Sequence, residues 1–401
     1  MPVEPRFPIN EVLPALLDSL GAHTRLVLEA PPGAGKTTQV PLALLHAPWC
    51  AGRILMLEPR RIAARAAAGF MAAQLGEAVG DTVGYRIRFE RKVSARTRLE
   101  IVTEGILTRL LQDDPTLEGV DAVIFDEFHE RHLASDLGLA LCLDVQAALR
   151  PTLRLIVMSA TLDGARLATF LDAPRVISAG RSYPVDIVHV ALKPRESADQ
   201  QLRRAVQIAL ADTDGDLLCF LPGKGEIERA RRLLVDLAVG DTRIEVLHGE
   251  LSMGDQSRIL QPHAGRQIVL ATNVAESSVT LPAVRAVIDT GLAREPRFDP
   301  NSGMSRLETT LIAQSSATQR AGRAGRTAPG KCYRLWPESQ RLDPATRPEI
   351  QRIELSAFLL ELKTWGSEAL RLPDPPPSGV LAQARSLLQA LEALDADGRL
   401  T

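Results

Sequence analysis

Rings are scarce in this chain. Nine Phe, three Trp and three Tyr make up 4% of 401 residues, too few for a platform that binds single strands by stacking successive bases. Cysteine is rarer still. Cys50, Cys142, Cys219 and Cys332 lie far apart, with no C-x-x-C pair and no clustered histidines, which argues against a zinc site or a disulfide framework and for reduced, mostly buried thiols. No run of about 18 apolar residues occurs, and no basic region precedes an apolar core at the N-terminus. Neither membrane insertion nor secretion is indicated, and a cytoplasmic location is expected. An excess of one charge is also missing: 47 Lys and Arg face 49 Asp and Glu, a net of −2. A polyanionic partner would have to be gripped in a local cleft rather than by a charged tail.

What is present is a globular composition, 45% hydrophobic, in a chain long enough for two or three domains. Apolar runs bounded by turn residues recur at Leu26 to Leu28, Ile54 to Leu57, Val123 to Phe125 and Leu155 to Met158, with amphipathic stretches between them. That alternation predicts an α/β domain, a parallel sheet wrapped by helices, over 1–180. After Gly180-Arg-Ser-Tyr-Pro184 the series restarts, with Leu217 to Leu221, Ile244 to Leu247, Ile268 to Ala271 and Val284 to Ile288, and predicts a second domain of the same kind over 181–341. From Leu342 the texture becomes helical (Ile350, Ile353, Leu355, Phe358, Leu359, Leu362), then passes through a proline linker, Pro373 to Pro377, to an Ala/Leu helix from Val380 to Leu394. Asp397-Gly398 is a hairpin-turn signal whose second strand stops after three residues. We therefore expect 342–401 to be the start of a small domain and the chain to be part of something longer.

The first chemical signal is Ala30-Pro-Pro-Gly-Ala-Gly-Lys-Thr-Thr38, directly after the apolar run Arg25 to Glu29. Strand, glycine loop, helix is the context of a phosphate-binding loop. Gly33, Ala34 and Gly35 would turn backbone N–H groups onto a β-phosphate at the helix N-terminus, which Thr38 continues. Lys36 would reach the β and γ oxygens, and the Thr37 hydroxyl would ligate Mg²⁺. Ala30 stands where the motif has its first glycine. The second signal, Asp121-Ala-Val-Ile-Phe-Asp-Glu127 followed by Phe128 and His129, places two carboxylates where an apolar strand leaves a parallel sheet. Asp126 can hold Mg²⁺, with Glu127 beside it to orient and deprotonate an attacking water. ATP hydrolysis is the chemistry the two segments share. A third cluster, Gln319-Arg-Ala-Gly-Arg-Ala-Gly-Arg326, sets arginines among small residues that let them into a narrow cleft, where guanidinium groups stabilise a γ-phosphoryl transition state.

In order, the chain carries Gly33 to Thr37, Glu58-Pro-Arg-Arg61, Thr103-Glu-Gly105, Asp126-Glu-Phe-His129, Ser159-Ala-Thr161, Phe220-Leu-Pro-Gly223, Thr272-Asn-Val-Ala-Glu-Ser277 and Gln319 to Arg326. This series resembles the motifs of superfamily 2 helicases of the DEAH/RHA group. Gly84-Tyr-Arg-Ile-Arg-Phe-Glu90, the Asp-Glu-Phe-His variant and Leu372-Pro-Asp-Pro-Pro-Pro377 are similar to its bacterial HrpB branch. The resemblance implies tandem RecA-like domains and the start of a winged-helix domain. It implies an ATP-dependent 3′ to 5′ RNA helicase that hydrolyses NTP at a cleft between the two RecA-like domains. In that reading Lys36, Thr37 and Asp126 bind Mg²⁺-ATP, Glu127 is the base beside the metal with His129 next to it, Gln319 positions the water, and Arg323 and Arg326 are the fingers. Ser159 and Thr161 couple hydrolysis to motion.

Arg60, Arg61, Thr103, Gly105, Gly223, Thr272 and Asn273 match positions that, in this group, grip the sugar-phosphate backbone, and Arg88 is a further candidate. Such donors at strand ends carry no base information. Leu292 to Ile312 can form the hairpin that separates strands in this group, or an ordinary surface hairpin. The lack of a glutamine-centred adenine motif before Ala30 predicts loose selectivity among nucleoside triphosphates. The partner expected is single-stranded or partly duplex RNA, with DNA as an alternative, and no membrane. A competing reading is an RNA-stimulated NTPase clamp that binds single strands without unwinding them. Phe128, where alanine is more usual, puts the coupling in question rather than the hydrolysis.

Overall fold

Runs of Leu, Ile, Val and Met bounded by polar turns become strands buried on both faces, as a parallel sheet requires. The computed structural model describes residues 7–160, 164–180, 183–261, 263–276, 281 and 283–401. Strands β1 (Arg25–Glu29), β2 (Arg53–Leu57), β3 (Val83–Ile87), β4 (Glu90–Lys92), β5 (Leu99–Val102), β6 (Val120–Phe125), β7 (Arg154–Ser159) and β8 (Arg175–Ile177) form one sheet in the order β4-β3-β5-β2-β6-β7-β1-β8. All neighbours are parallel except β3 and β4. The register brings Leu57 opposite both Val102 and Phe125, and Glu29 opposite Ser159. The C-terminal ends of β3, β5, β2, β6, β7 and β1 therefore line one edge in that order.

A second sheet is built from β9 (Val185–His189), β10 (Asp216–Phe220), β11 (Thr242–Leu247), β12 (Arg266–Ala271) and β13 (Val284–Asp289). After the two-stranded hairpin β14 (Leu292–Asp299) and β15 (Met304–Leu311), strand β16 (Gly330–Arg334) completes it, in the parallel order β11-β12-β10-β13-β16-β9. Two parallel sheets flanked by helices are the tandem RecA-like arrangement that the motif series implied. The strands that periodicity missed include the polar edge pieces Glu-Arg-Lys in β4 and Val-Asp-Ile-Val-His in β9, and also β5, a buried interior strand of only four residues.

The chain divides into two compact units, one of Met1–Gly180, Arg297–Arg306 and Arg347–Thr401, the other of Arg181–Pro296 and Leu307–Thr346. In the first, Phe358, Leu359 and Leu362 of helix Ser356–Trp365 and Ala384 and Leu388 of helix Ser378–Ala390 share one hydrophobic core with Phe125, Leu137 and Leu141. The C-terminal helices are thus welded to one face of the first sheet, while helices Leu13–Ala22, Lys36–Leu44 and Arg61–Gln74 cover the other. The proline stretch is no loose linker: Asp374 is bound by Arg131 and Arg166, both at 2.5 Å. Gly398 takes φ +75° in the turn that bridges Leu394 and Leu400.

Candidate nucleotide and nucleic-acid site

The phosphate loop follows β1. Gly33 (φ +85°) and Gly35 (φ +93°) both adopt the left-handed region that glycine tolerates, and a Cβ on Gly35 would lie 2.9 Å from Phe7 Cβ. Ala30 has no positive φ, so the first loop position makes no demand for glycine; its N–H donates to the Ser159 carbonyl at 3.0 Å. Helix Lys36–Leu44 begins on Gly35, which has no side chain to cap it. A bare, glycine-led helix N-terminus favours an anion.

Lys36 is buried and donates to Glu127 Oε1 at 2.8 Å, with Asp126 Oδ1 at 3.8 Å. Thr37 Oγ1 donates to Asp126 Oδ2 at 2.5 Å, and the Glu127 N–H to Asp126 Oδ1 at 2.8 Å. Burial works against the Lys36 ammonium, but Glu127, Asp126 and Glu58 outweigh it and push the pKa up to about 12. Burial pushes Asp126 up to about 6 against the pull of Lys36. Burial also acts upward on Glu127, yet Lys36 and His129 hold it below the usual carboxylate range. Glu58, buried beside them in the Glu58-Pro-Arg-Arg61 motif, is pushed well up by burial and then by both acids. One ammonium thus faces three buried carboxyl groups, an arrangement short of positive charge. With the Thr37 hydroxyl touching Asp126, the donor set is hard oxygen, which suits Mg²⁺. His129 Nδ1 accepts from the Ala160 N–H at 3.2 Å, and its Nε2 lies 3.5 Å from Glu127 Oε2. Ser159 ends β7, between the two loops. Thr161 lies outside the described residues.

Phe128 turns away from this chemistry. It is buried in the core, edge-on to Phe125 with centroids 6.2 Å apart, so its replacement of alanine fills the sheet's underside and not the site. Phe128→Ala should cost about 3–5 kcal/mol by opening a cavity, read as a lower urea midpoint with an unchanged slope. A loss below about 1 kcal/mol would contradict that packing role.

The nucleic-acid candidates of the first unit follow the same sheet edge. Arg60 and Arg61 start helix Arg61–Gln74 after β2, Thr103 and Gly105 start helix Glu104–Asp113 after β5, and Arg88 follows β3. The Thr103 N–H reaches the Arg86 carbonyl at 3.4 Å, and the Arg88 guanidinium stacks 4.8 Å over the exposed Phe89 ring. In the second unit Gly223 starts helix Lys224–Leu234 after β10, where a Cβ would meet Arg294 Cδ at 3.0 Å. Thr272 follows β12 and begins the short turn Asn273–Ala275. Helix Gln314–Gly322 carries Gln319, whose Nε2 is buried with no hydrogen-bond partner among the described residues. Arg320 is spent on structure: wholly buried, it pairs with Glu276 and Asp289, each at 2.9 Å, and lies 4.7 Å over Phe220. Arg323 is buried and its Nε donates to the Glu276 carbonyl at 2.8 Å, while Arg326 follows half-buried. Sequence reading passed over Glu58, Glu130, Glu276 and Asp289. Glu58 and Glu276 stand inside motifs quoted for their other residues, Glu130 lies next to Arg131, and Asp289 ends the apolar strand β13 with no signal of its own.

A glycine loop after β1, paired acids after β6 and a second sheet of like build define the P-loop fold class in its tandem RecA-like form. Residues 10–170 match the DEAD/DEAH box helicase family and 198–328 the helicase conserved C-terminal domain, and the chain belongs to the DEAH/RHA group of these helicases. It is 46% identical over 97% of its length to "ATP-dependent RNA helicase HrpB" of Escherichia coli K12, covering 49% of that protein. It is 39% identical over 98% to the "Pre-mRNA-splicing factor ATP-dependent RNA helicase prp22" of Schizosaccharomyces pombe, covering 35%. The crystal structure of Escherichia coli DEAH/RHA helicase HrpB superposes with a TM-score of 0.93 at 46% identity, over 99% of this chain and 52% of that one. The chain therefore spans about half the length of its bacterial relative or less than that of the yeast one.

Proposed function

We propose that this chain is the motor core of an ATP-dependent RNA helicase that moves 3′ to 5′ along a single strand. The observation that carries the reading is the Glu127 carboxylate, held ionised against Lys36 beside the Thr37–Asp126 pair at a glycine-led helix N-terminus. Glu127 takes the proton of the attacking water, a role in which a positioned carboxylate contributes roughly 10² to 10⁴ in rate. Thr37 and Asp126, with Glu127 beside them, would hold Mg²⁺, which would supply positive charge against the phosphates. Lys36 draws the same oxygens, and the N-terminal N–H groups of helix Lys36–Leu44 orient the phosphates. His129, anchored to the Ala160 N–H, keeps Glu127 oriented. Gln319 positions the water and Arg323 and Arg326 act as fingers, with Ser159 and Thr161 passing the nucleotide state to moving parts. Arg60, Arg61, Arg88, Thr103, Gly105, Gly223, Thr272 and Asn273 grip the RNA backbone without reading bases. Residues 342–401 begin a winged-helix domain, and the protein works in the cytoplasm. Among the described residues no helix is long and apolar enough to cross a membrane.

The test is steady-state hydrolysis of ATP, GTP, CTP and UTP with and without single-stranded RNA, alongside displacement of a duplex bearing a 3′ overhang. Turnover of all four nucleotides, raised by RNA and accompanied by displacement, is expected. Hydrolysis without displacement would assign the chain to an RNA-stimulated clamp, and indifference to RNA would remove the nucleic-acid reading.

A further inference from the structure

Between the candidate phosphate grip and the catalytic acids lies a row of charged groups that hydrolysis alone does not require. Both carboxylate oxygens of Glu130 lie 3.1 Å from Arg60 Nη2. Glu130 Oε2 also meets His132 Nε2 at 2.7 Å. On its other side His132 Nδ1 meets Glu349 Oε1 at 3.0 Å, and Glu349 Oε2 accepts from the Leu133 N–H at 2.8 Å. The Glu349 N–H returns to the Arg131 carbonyl at 3.0 Å. All of these residues belong to the first unit.

Glu130 is also bound to the catalytic residue itself. It closes the short helical turn Phe128–Glu130, and its N–H donates to the Glu127 carbonyl at 2.9 Å. Glu127 (φ +49°) and Arg131 (φ +52°) flank that turn in the left-handed region, which non-glycine residues occupy at a cost. Two strained hinges around a three-residue turn make a segment that a small change in side-chain pairing can bias. We propose that Glu130 is a positioning residue that reports an RNA phosphate at Arg60 to Glu127, its carboxylate passing from shared pairing with Arg60 and His132 to pairing with His132 alone.

The inference rests on the reading of Arg60 as a backbone contact. Its physics is competition between two anions for one guanidinium. A phosphodiester reaching Arg60 meets the Glu130 carboxylate already there, and the two repel at close range. Glu130 has a second cation to fall back on, because Glu130 and Glu349 together overcome burial and push the His132 imidazolium up to about 11. The carboxylate thus keeps a charged partner as RNA arrives, and its shift pulls on the backbone bond to Glu127. Glu349 ties the same relay to the C-terminal segment.

The experiment uses the full chain and its Glu130→Gln, Arg60→Ala and double variants. A labelled single-stranded oligouridylate reports Kd, and the ratio of ATP turnover with saturating RNA to that without reports coupling. Glu130→Gln is expected to tighten RNA binding about three- to fivefold, the worth of one partly exposed ion pair, and to lower the stimulation ratio by at least that factor. Arg60→Ala weakens binding, and in its background Glu130→Gln tightens nothing. His132→Asn acts with the opposite sign, weakening RNA binding because Glu130 stays on Arg60, and tests the relay even where Glu130→Gln fails to fold. An unchanged Kd and ratio in Glu130→Gln, or equal tightening with and without Arg60, would overturn the proposal. RNA binding untouched by Arg60→Ala would instead remove the grip reading on which it rests.

Discussion

Glu127→Gln should leave no more than about one part in 10² to 10⁴ of the ATP turnover. The amide keeps the shape of the side chain and can still accept from Lys36, now at 2.8 Å from Oε1, so the phosphate loop keeps its geometry. What the amide lacks is basicity. The carboxylate fits the base role because Lys36 and His129 outweigh burial and keep it ionised at neutral pH, whereas neighbouring Asp126 is pushed up to about 6. Single-turnover hydrolysis with pre-bound nucleotide isolates the chemical step from binding and release. Retention of more than about a tenth of the wild-type rate would exclude Glu127 as the base, since even the weakest general bases contribute more than that.

Arg131→Ala should lower stability by about 3–5 kcal/mol, the cost of breaking a buried ion pair from one side. Arg131 is 5% exposed and grips Asp136, which is 0% exposed, through two bonds of 3.1 and 2.9 Å, while reaching Asp374 at 2.5 Å. Without it Asp136 stays in the first turn of helix Leu133–Ala148, where helix N–H groups supply only part of the missing compensation. The pH dependence has a definite sign. Burial already raises the Asp136 pKa against the pull of Arg131, and losing the guanidinium raises it further. A carboxyl whose folded pKa exceeds its unfolded one destabilises when ionised. The penalty should therefore be full near neutral pH and shrink as acid protonates Asp136 in the folded variant. Urea unfolding at neutral and at mildly acidic pH measures both. A midpoint unchanged from wild type, or a penalty that grows in acid, would refute the pairing.

The local part of the candidate site is legible in the sequence. A phosphate loop is local: two glycines with positive φ, a lysine and a threonine must follow one another, so their spacing survives in the sequence. The same holds for Asp126 and Glu127 at the end of an apolar strand, and for two α/β halves announced by restarted apolar runs. Less local features escaped. Strands β4 and β9 are polar edge pieces that pairing, not hydrophobicity, brings into the sheets. Spacing alone does not separate the arginines at 320, 323 and 326; the resemblance sets Arg323 and Arg326 apart, and the surroundings of Glu276, Asp289 and Phe220 show what Arg320 does instead.

By itself the sequence determined the eight apolar runs that become β1, β2, β6, β7, β10, β11, β12 and β13, together with the glycine loop and the adjacent acids, because each depends on neighbours within a few residues. The tertiary structure decided the ionisation of Glu127 and Asp126, which depends on burial and on Lys36 some ninety positions away. It decided that Phe128 belongs to the core. It also decided that 347–401 shares the core of the first unit and reaches Arg131 and His132 through Asp374 and Glu349, contacts that span more than two hundred positions and leave no periodic trace. Pairing energies act through distance in space, and only folding sets that distance.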